Sequence, residues 1–250
     1  FKFMGVNDGL ELHHDGDLPA RSGLGTSSAF AVGMLHALYA LKGQMPSTMQ
    51  LARDAIHLER DILGENVGNQ DQTFAAFGGL NQIDFNPDDS IQVKPLVLKA
   101  ERIRELEQHL MLMFTGLSRN ASDVSAEQVR ETPHHKPELS AMCEMVHQAK
   151  YLLTSATDIR EFGKLLDRSW QIKRRLSTAI STSHIESLYE TAIAHGADGG
   201  KVLGAGGGGF MLFFARPEVQ ENIKNALGLL QVPFRFEKSG SQVIYYEPDN

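Results

Sequence analysis

The chain has few of the features that mark several large protein classes. Its 250 residues contain one cysteine, Cys143, so no disulfide can form within the chain, and a cytoplasmic location is expected. No apolar run is long enough to span a bilayer. Acidic residues outnumber basic ones, 31 to 24, which argues against a nucleic-acid surface. The composition therefore predicts a globular protein with no membrane and no nucleic acid as partner, and it leaves a homodimer open.

Two standard nucleotide-binding motifs are absent or out of context. No G-x-x-x-x-G-K-[ST] sequence is present, which excludes a P-loop. Residues 204–209 match G-x-G-x-x-G, but the apolar run after them has the pattern of a buried strand. A dinucleotide-dependent oxidoreductase stays open as an alternative, and it requires a helix directly after these glycines.

A glycine- and hydroxyl-rich segment precedes an apolar helix. Residues 19–29 read PARSGLGTSSA, and the pattern predicts a buried helix over residues 26–42. Glycines let backbone N–H groups turn toward one point, and a helix N-terminus adds the positive end of a dipole. The segment therefore predicts a polyphosphate site, with a flexible turn and a Thr or Ser N-cap as the alternative.

A second helix, predicted over residues 47–63, carries a carboxylate on its apolar face. At about 100° per residue, one face holds the following apolar residues: Leu51, Ala52, Ala55, Ile56, Leu58, Ile62 and Leu63. Glu59 lies in the middle of that face, where an uncompensated carboxylate is costly. We favour a Mg²⁺ ligand, because Mg²⁺ binds one or two protein carboxylates plus phosphate oxygens. A salt bridge to a buried Arg or Lys is the alternative.

Asp71 follows a glycine- and asparagine-rich loop and begins a short helix predicted over residues 70–77. Its two interpretations are an N-cap and a carboxylate held near a substrate hydroxyl.

The remaining pattern predicts an α+β chain. We expect extended or hairpin structure over residues 1–16, strands over 81–85, 91–98, 109–115 and 210–214, and a helix over 217–230. Two closing strands are expected over 234–238 and 242–246, and Cys143 is expected to be buried in a helix. The predicted domains are residues 1–104 and 105–250.

Three separated segments resemble motifs of the GHMP kinase superfamily. Residues 19–29 resemble its central motif, residues 199–209 its C-terminal glycine motif, and residues 68–72 the galactokinase segment that contains the catalytic aspartate. The resemblance implies a two-lobed α+β kinase that binds ATP and Mg²⁺ between its lobes. It implies that Asp71 is catalytic and that Ser27 and Glu59 bind the metal. The nucleotide-binding residues that it implies are Gly23, Leu24, Gly25, Thr26, Ser27, Ser28, Gly206 and Gly207.

Within the superfamily, the motifs resemble sugar 1-kinases that act on heptose 7-phosphate, with a fucokinase-like enzyme as the alternative. The implied reaction transfers the γ-phosphoryl group of ATP to the anomeric hydroxyl of a sugar phosphate, in the synthesis of GDP-heptose. Arg119 and Lys173 are the candidate anchors of the substrate phosphate. Residues 1–17 do not match the family's N-terminal motif, so the N-terminal lobe is expected to be truncated. A non-catalytic homologue that binds nucleotide and sugar is a further alternative.

Overall fold

The computed structural model describes residues 1–7, 9–19, 22–117 and 121–247. Contacts divide the chain into two compact units. The first comprises Phe1–Ala20, Gly25–Lys94 and Glu237–Asn250, and the second comprises Arg21–Leu24 and Pro95–Phe236. Helices and strands are mixed in both units, as the α+β prediction requires. The predicted domain limits, 1–104 and 105–250, stay a prediction.

Three helices and a hairpin make up most of the first unit. Its elements are α1 (Thr26–Leu41), α2 (Thr48–His57), α3 (Gln70–Phe77), β1 (Asn81–Phe85) and β2 (Ile91–Pro95). The Ser47 side chain caps α2 by accepting a hydrogen bond from the Gln50 N–H at 3.1 Å. The core of the unit is built from one side of α1 and α2, with Val32, Leu35 and Ala52 at its centre.

The segment after Phe236 completes the first unit. A Cβ built on Gly240 would lie 2.0 Å from the Ala76 carbonyl oxygen, so two backbones are in contact there. The Ser241 N–H donates to the Ala75 carbonyl oxygen at 3.0 Å, and Ser241 Oγ lies 2.9 Å from His36 Nδ1. These contacts hold the segment against α1 and α3, and its described residues join no sheet.

The second unit is a four-stranded antiparallel sheet with helices packed on it. The strand order is β4–β5–β3–β6, in which β3 spans Leu110–Phe114, β4 Ala197–Val202, β5 Phe210–Ala215 and β6 Leu230–Val232. The helices are α4 (Ala100–His109), α5 (Ala121–Glu131), α6 (Lys136–Thr154), α7 (Arg160–Lys173), α8 (Ser183–Ala194) and α9 (Pro217–Leu227). Successive side chains on β5 point to opposite faces of the sheet and enter two separate cores. Phe213 lies in the core that contains Trp170, and Phe214 lies in the core that contains Leu106 and Ile159.

Several sequence-based predictions are wrong in detail. The described residues of 1–16 contain a 3₁₀ turn at Lys2–Met4 and no strand, and the two closing strands are absent from the described chain. Only one side of α1 is buried, since Phe30 and Leu41 are 40% and 52% exposed. Cys143 lies in α6 as expected but is exposed. Among the described residues, no helix has both the length and the apolarity needed to cross a membrane.

Candidate active site

The N-terminus of α1 presents backbone donors that no described side chain caps. Gly25 is the N-cap residue and has a φ of 69°, a left-handed conformation that glycine adopts without steric cost. Its carbonyl oxygen accepts a hydrogen bond from the Ala29 N–H at 2.9 Å, and no side chain bonds to the cap. The N–H groups of Thr26, Ser27 and Ser28 precede that bond and lie at the positive end of the helix dipole. A phosphate group suits this position.

Glu59 is a buried carboxylate held by hydrogen-bond donors. It is 2% exposed. Its Oε2 accepts hydrogen bonds from Ser28 Oγ at 2.7 Å and from Gln72 Nε2, and its Oε1 accepts one from Ser27 Oγ at 3.2 Å. No ion pair involves Glu59 in the part of the chain that the structure describes. Among the described residues, hydrogen bonds rather than a buried cation compensate this carboxylate.

A π-helical turn at Leu58–Ile62 places Glu59. The Leu63 N–H donates to the Leu58 carbonyl oxygen at 2.9 Å, which is the i to i+5 pattern of such a turn. The wider turn breaks the α-helical periodicity after Glu59. Ile62 and Leu63 are therefore 49% and 61% exposed, and the prediction that they share the buried face is wrong. Turns of this kind are frequent at functional sites.

The oxygen atoms around Glu59 fit a Mg²⁺ ion. A carboxylate and a hydroxyl are hard oxygen ligands of the kind that Mg²⁺ binds. The buried Gln72 side chain turns its amide nitrogen, not its carbonyl oxygen, toward the carboxylate and donates to Oε2. No group of three or more His, Cys, Asp or Glu side chains forms a metal cage in the described chain. Such a site suits an ion that also takes phosphate oxygens and water. The roles of Ser27 and Glu59 as metal ligands stay predictions.

Asp71 lies beside the start of α1. A Cβ built on Gly25 would lie 3.3 Å from Asp71 Cγ, so the carboxylate packs against the backbone of the N-cap residue. The loop before α3 is anchored at Asn69, whose Oδ1 accepts from the Arg60 guanidinium at 2.8 Å and whose carbonyl oxygen accepts from Thr73 Oγ1 at 2.7 Å. An exposed carboxylate is thus placed next to the helix N-terminus that is predicted to bind phosphate. The catalytic role of Asp71 stays a prediction.

Residues 204–209 form a glycine loop between β4 and β5 in the second unit. Gly206 and Gly207 have φ values of 116° and 76°. A Cβ on Gly206 would lie 2.6 Å from the Ile180 carbonyl oxygen, and the Gly207 N–H donates to the same oxygen at 2.8 Å. Only glycine fits this approach of two backbones.

The same loop packs against the first half of the central motif. A Cβ on Gly209 would lie 2.2 Å from the Ser22 carbonyl oxygen, and one on Gly23 would lie 2.9 Å from the Leu203 carbonyl oxygen. Two glycine motifs that are far apart in the sequence therefore meet within the second unit. Leu24 ends this part, and the chain enters the first unit at Gly25.

Two side chains of the second unit hold carbonyl groups of the glycine loop. Lys173 Nζ donates to the Gly204 carbonyl oxygen at 2.8 Å, and Gln128 Nε2 donates to that of Ala205 at 2.6 Å. The predicted role of Lys173 as an anchor for a substrate phosphate stays a prediction. The other predicted anchor, Arg119, lies outside the described residues.

The oxidoreductase alternative is wrong. It requires a helix directly after residues 204–209, but the chain continues there as strand β5, which starts at Phe210. The loop is thus not the strand-to-helix turn that binds a dinucleotide.

Sequence reasoning missed Gln72 and Gln128. Gln72 shares the buried face of α3 with Thr73 and Ala76, at positions i, i+1 and i+4 of the helix. A buried glutamine at helical spacing is a signal that could have identified it. Nothing in the sequence around Gln128 distinguishes it from a surface glutamine.

The architecture defines a class, namely a phosphate-binding α+β protein with two glycine motifs and a buried carboxylate. Two family models match the chain: "GHMP kinases N terminal domain" over residues 1–79 and "GHMP kinases C terminal" over residues 149–229. The chain belongs to the GHMP kinases, which confirms the predicted family and the class of ATP-dependent kinase.

Individual relatives agree with this assignment. The chain is 36% identical over 238 residues to the D-glycero-alpha-D-manno-heptose 7-phosphate kinase of Campylobacter jejuni, covering 92% of this chain and 69% of the relative. It is 28% identical to the bifunctional fucokinase/GDP-fucose pyrophosphorylase of Arabidopsis thaliana, covering 83% of this chain and 20% of that protein. A solved putative sugar kinase from Campylobacter jejuni superposes with a TM-score of 0.66 at 34% identity and 90% coverage of this chain.

The chain spans 65% of that solved kinase and 69% of the Campylobacter heptose kinase. The expectation of a truncated N-terminal lobe is not borne out by these comparisons or by the fold.

Proposed function

We propose that the chain is a sugar kinase that transfers the γ-phosphoryl group of ATP to the anomeric hydroxyl of D-glycero-D-manno-heptose 7-phosphate. The observation that carries this proposal is the contact of Asp71 with Gly25, beside the uncapped N-terminus of α1. Phosphoryl transfer depends on positioning and on charge stabilisation, and this arrangement supplies a carboxylate next to a phosphate-binding site. The product would serve the synthesis of GDP-heptose.

Each part of the site has a proposed role. The N–H groups of Thr26, Ser27 and Ser28 bind phosphate oxygens of ATP. The nucleotide-binding roles of Gly23, Leu24, Gly206 and Gly207 stay predictions from the family resemblance. Ser27 and Glu59 hold Mg²⁺, which neutralises phosphate charge when it is bound. Asp71 orients the sugar hydroxyl and accepts its proton as the bond to phosphorus forms. Lys173 and Arg119 are the proposed anchors of the phosphate group that the sugar already carries.

The choice of sugar is supported by the name and the 36% identity of the Campylobacter relative. A fucokinase-like specificity is the second candidate, because the Arabidopsis fucokinase matches 83% of the chain at 28% identity. An assay of ADP release with heptose 7-phosphate, fucose and galactose distinguishes these substrates. We expect the highest kcat/KM with heptose 7-phosphate, and phosphorus NMR of the product should show a new anomeric phosphate.

The catalytic assignment is tested by Asp71→Asn. The amide keeps the size of the side chain but removes the charge, so we expect kcat to fall by roughly 10²-fold or more, while ATP binding changes little. Asp88→Asn, in the turn between β1 and β2, is the matched control, because an amide oxygen can still accept from the Ser90 N–H. A decrease in kcat below fivefold contradicts the role of Asp71. ATP binding without turnover on any sugar supports the non-catalytic alternative.

A further inference from the structure

The two oxygens of the Glu59 carboxylate have unequal environments. Oε2 accepts from both Ser28 Oγ, at 2.7 Å, and Gln72 Nε2. Oε1 has a single contact among the described residues, a long one of 3.2 Å from Ser27 Oγ. A carboxylate oxygen accepts about two hydrogen bonds through its lone pairs. Oε2 is therefore saturated, whereas Oε1 keeps a lone pair for another partner.

Gln72 is placed at some cost to stability. Its side chain is fully buried, yet its Oε1 has no hydrogen-bond partner among the described residues. An unsatisfied buried carbonyl destabilises a fold, because it loses its hydrogen bonds to water. A rotation of the amide does not remove the problem, because it would turn the carbonyl oxygen toward the negatively charged Glu59. The amide nitrogen must face the carboxylate, so the position serves Glu59 rather than the core.

We propose that Gln72 is a positioning residue that, together with Ser28, occupies Oε2 of Glu59 and so reserves Oε1 for the metal. Ser27, which is exposed, lies on the Oε1 side and completes the metal-binding edge. Because Gln72 follows Asp71 directly on α3, one helix fixes both the metal ligand and the proposed catalytic carboxylate. This inference rests on the proposed function, in which Glu59 binds Mg²⁺.

The test measures metal binding without turnover. Mn²⁺, a paramagnetic substitute for Mg²⁺, is titrated by electron paramagnetic resonance into the protein with a non-hydrolysable ATP analogue. Loss of a residue that orients a metal ligand typically weakens metal affinity by about 10–100-fold, and we expect this loss for Gln72→Met. The control is Gln44→Met, an exposed glutamine outside all three motifs, for which we expect an unchanged affinity.

The melting temperature and the Mg²⁺ dependence of the rate distinguish a positioning role of Gln72 from a purely structural one. Gln72→Met removes the unsatisfied carbonyl oxygen, which favours stability, and also one donor to the buried Glu59 carboxylate, which opposes it. We therefore expect a melting temperature close to that of the parent. The Mg²⁺ concentration for half-maximal rate should rise about as much as the Mn²⁺ dissociation constant, and kcat at saturating Mg²⁺ should change less. An altered melting temperature with unchanged Mn²⁺ affinity overturns the proposal.

Ser28→Ala provides a second measurement that does not depend on Gln72→Met folding. Both variants free the same oxygen, so Ser28→Ala should also weaken Mn²⁺ binding, and the effects of the two changes should not add. Additive effects, or an unchanged affinity in Ser28→Ala, overturn the proposal. Glu59→Gln tests the underlying site in the same assay. If Glu59→Gln binds Mn²⁺ normally, the proposed metal site itself is wrong. If Glu59→Gln loses Mn²⁺ binding but Gln72→Met keeps it, only the proposed role of Gln72 is wrong.

Discussion

At the scale of the residue, Gly25 is constrained both by its backbone and by its neighbour. Its φ of 69° is unfavourable for other residues, and a Cβ would lie 3.3 Å from Asp71 Cγ. We expect Gly25→Ala to destabilise the fold by about 1–2 kcal/mol and also to lower kcat, because Asp71 must move. Denaturant unfolding and steady-state kinetics measure the two effects.

Gly5 is the matched control for this prediction. Its φ is 62°, but a Cβ there would meet nothing within 4 Å. Gly5→Ala should therefore show a similar loss of stability with unchanged kcat. Equal kcat in both variants would contradict the claim that Gly25 sets the position of Asp71.

Lys201 on β4 is a buried lysine whose charge lowers the stability of the fold. Burial lowers the pKa of its ammonium group, and no described residue forms an ion pair with it. The unfolded chain, with a pKa near ~10.4 at this side chain, binds the proton more tightly than the folded protein. Burial of the charged Lys201 side chain lowers the free energy of unfolding by its full amount at a pH below the pKa of Lys201 in the folded protein. This loss becomes smaller as the pH rises from that value toward the pKa of Lys201 in the unfolded chain.

We therefore expect Lys201→Met to raise the melting temperature, with a gain that shrinks as the pH increases toward about 10. Melting curves from pH 6 to pH 10 test this expectation. Lys150→Met, at an exposed position of α6, should give a difference that does not vary with pH. A gain for Lys201→Met that grows with pH would refute the argument.

At the scale of the element, α5 fixes the conformation of the glycine loop. Gln128 bonds to the Ala205 carbonyl oxygen at 2.6 Å, and Glu127 accepts from Thr178 Oγ1 at 3.3 Å, near the Ile180 carbonyl that the loop contacts. Gln128→Met removes one hydrogen bond worth about 1 kcal/mol, which corresponds to roughly a fivefold change in an equilibrium. We expect faster amide exchange in residues 204–209 and a nucleotide affinity weakened to about that extent.

Gln148→Met on α6 is the control for Gln128. Within the part of the chain that the structure describes, its side chain accepts one long contact of 3.4 Å from Arg168, so its replacement should not alter nucleotide affinity. Unchanged exchange in the loop of Gln128→Met would show that the glycine backbone contacts alone determine its conformation.

Elements with strong periodicity and clear end signals could be predicted from the sequence. The helices α1 and α3 and the strand β1 lie within a residue or two of the expected bounds, because glycine, proline and asparagine mark their ends. The exposure of Ile62 and Leu63 could not be predicted, since the π-helical turn that causes it has no signal in the apolar pattern. The strands expected over 234–238 and 242–246 fail because alternation shows that a strand can form, not that a pairing edge is present.

In the candidate site as well, some features could be predicted from local sequence and others arise only in the folded chain. Glu59 was found because a carboxylate interrupts an apolar helix face, and that argument needs only local sequence. Its donors Ser28 and Gln72 lie 31 and 13 positions away, so only the fold brings them together. The contact of Gly209 with Ser22 is likewise a tertiary feature that no local pattern contains.

At the scale of the whole molecule, the first unit depends on residues from distant parts of the chain. A Cβ on Gly240 would lie 2.0 Å from the Ala76 carbonyl oxygen, so Gly240→Val must displace the segment from α3. We expect increased hydrogen exchange in the core of the first unit, around Val32 and Ala52, and unchanged protection in the sheet of the second unit. Gly9→Val, where a Cβ meets nothing within 4 Å, is the control. Equal deprotection of both units would refute this prediction.

The discontinuity of the first unit has a consequence for biosynthesis. Translation delivers all 142 residues of Pro95–Phe236 before the segment that packs against Ala75 and Ala76. At about 5–20 residues per second, this interval lasts roughly 7–30 s. A nascent chain can thus complete the sheet of the second unit on the ribosome while the half-formed first unit still exposes apolar surface. Residues 25–94 are synthesised before the sheet of the second unit but finish folding after it, and this interval is when a chaperone would bind them.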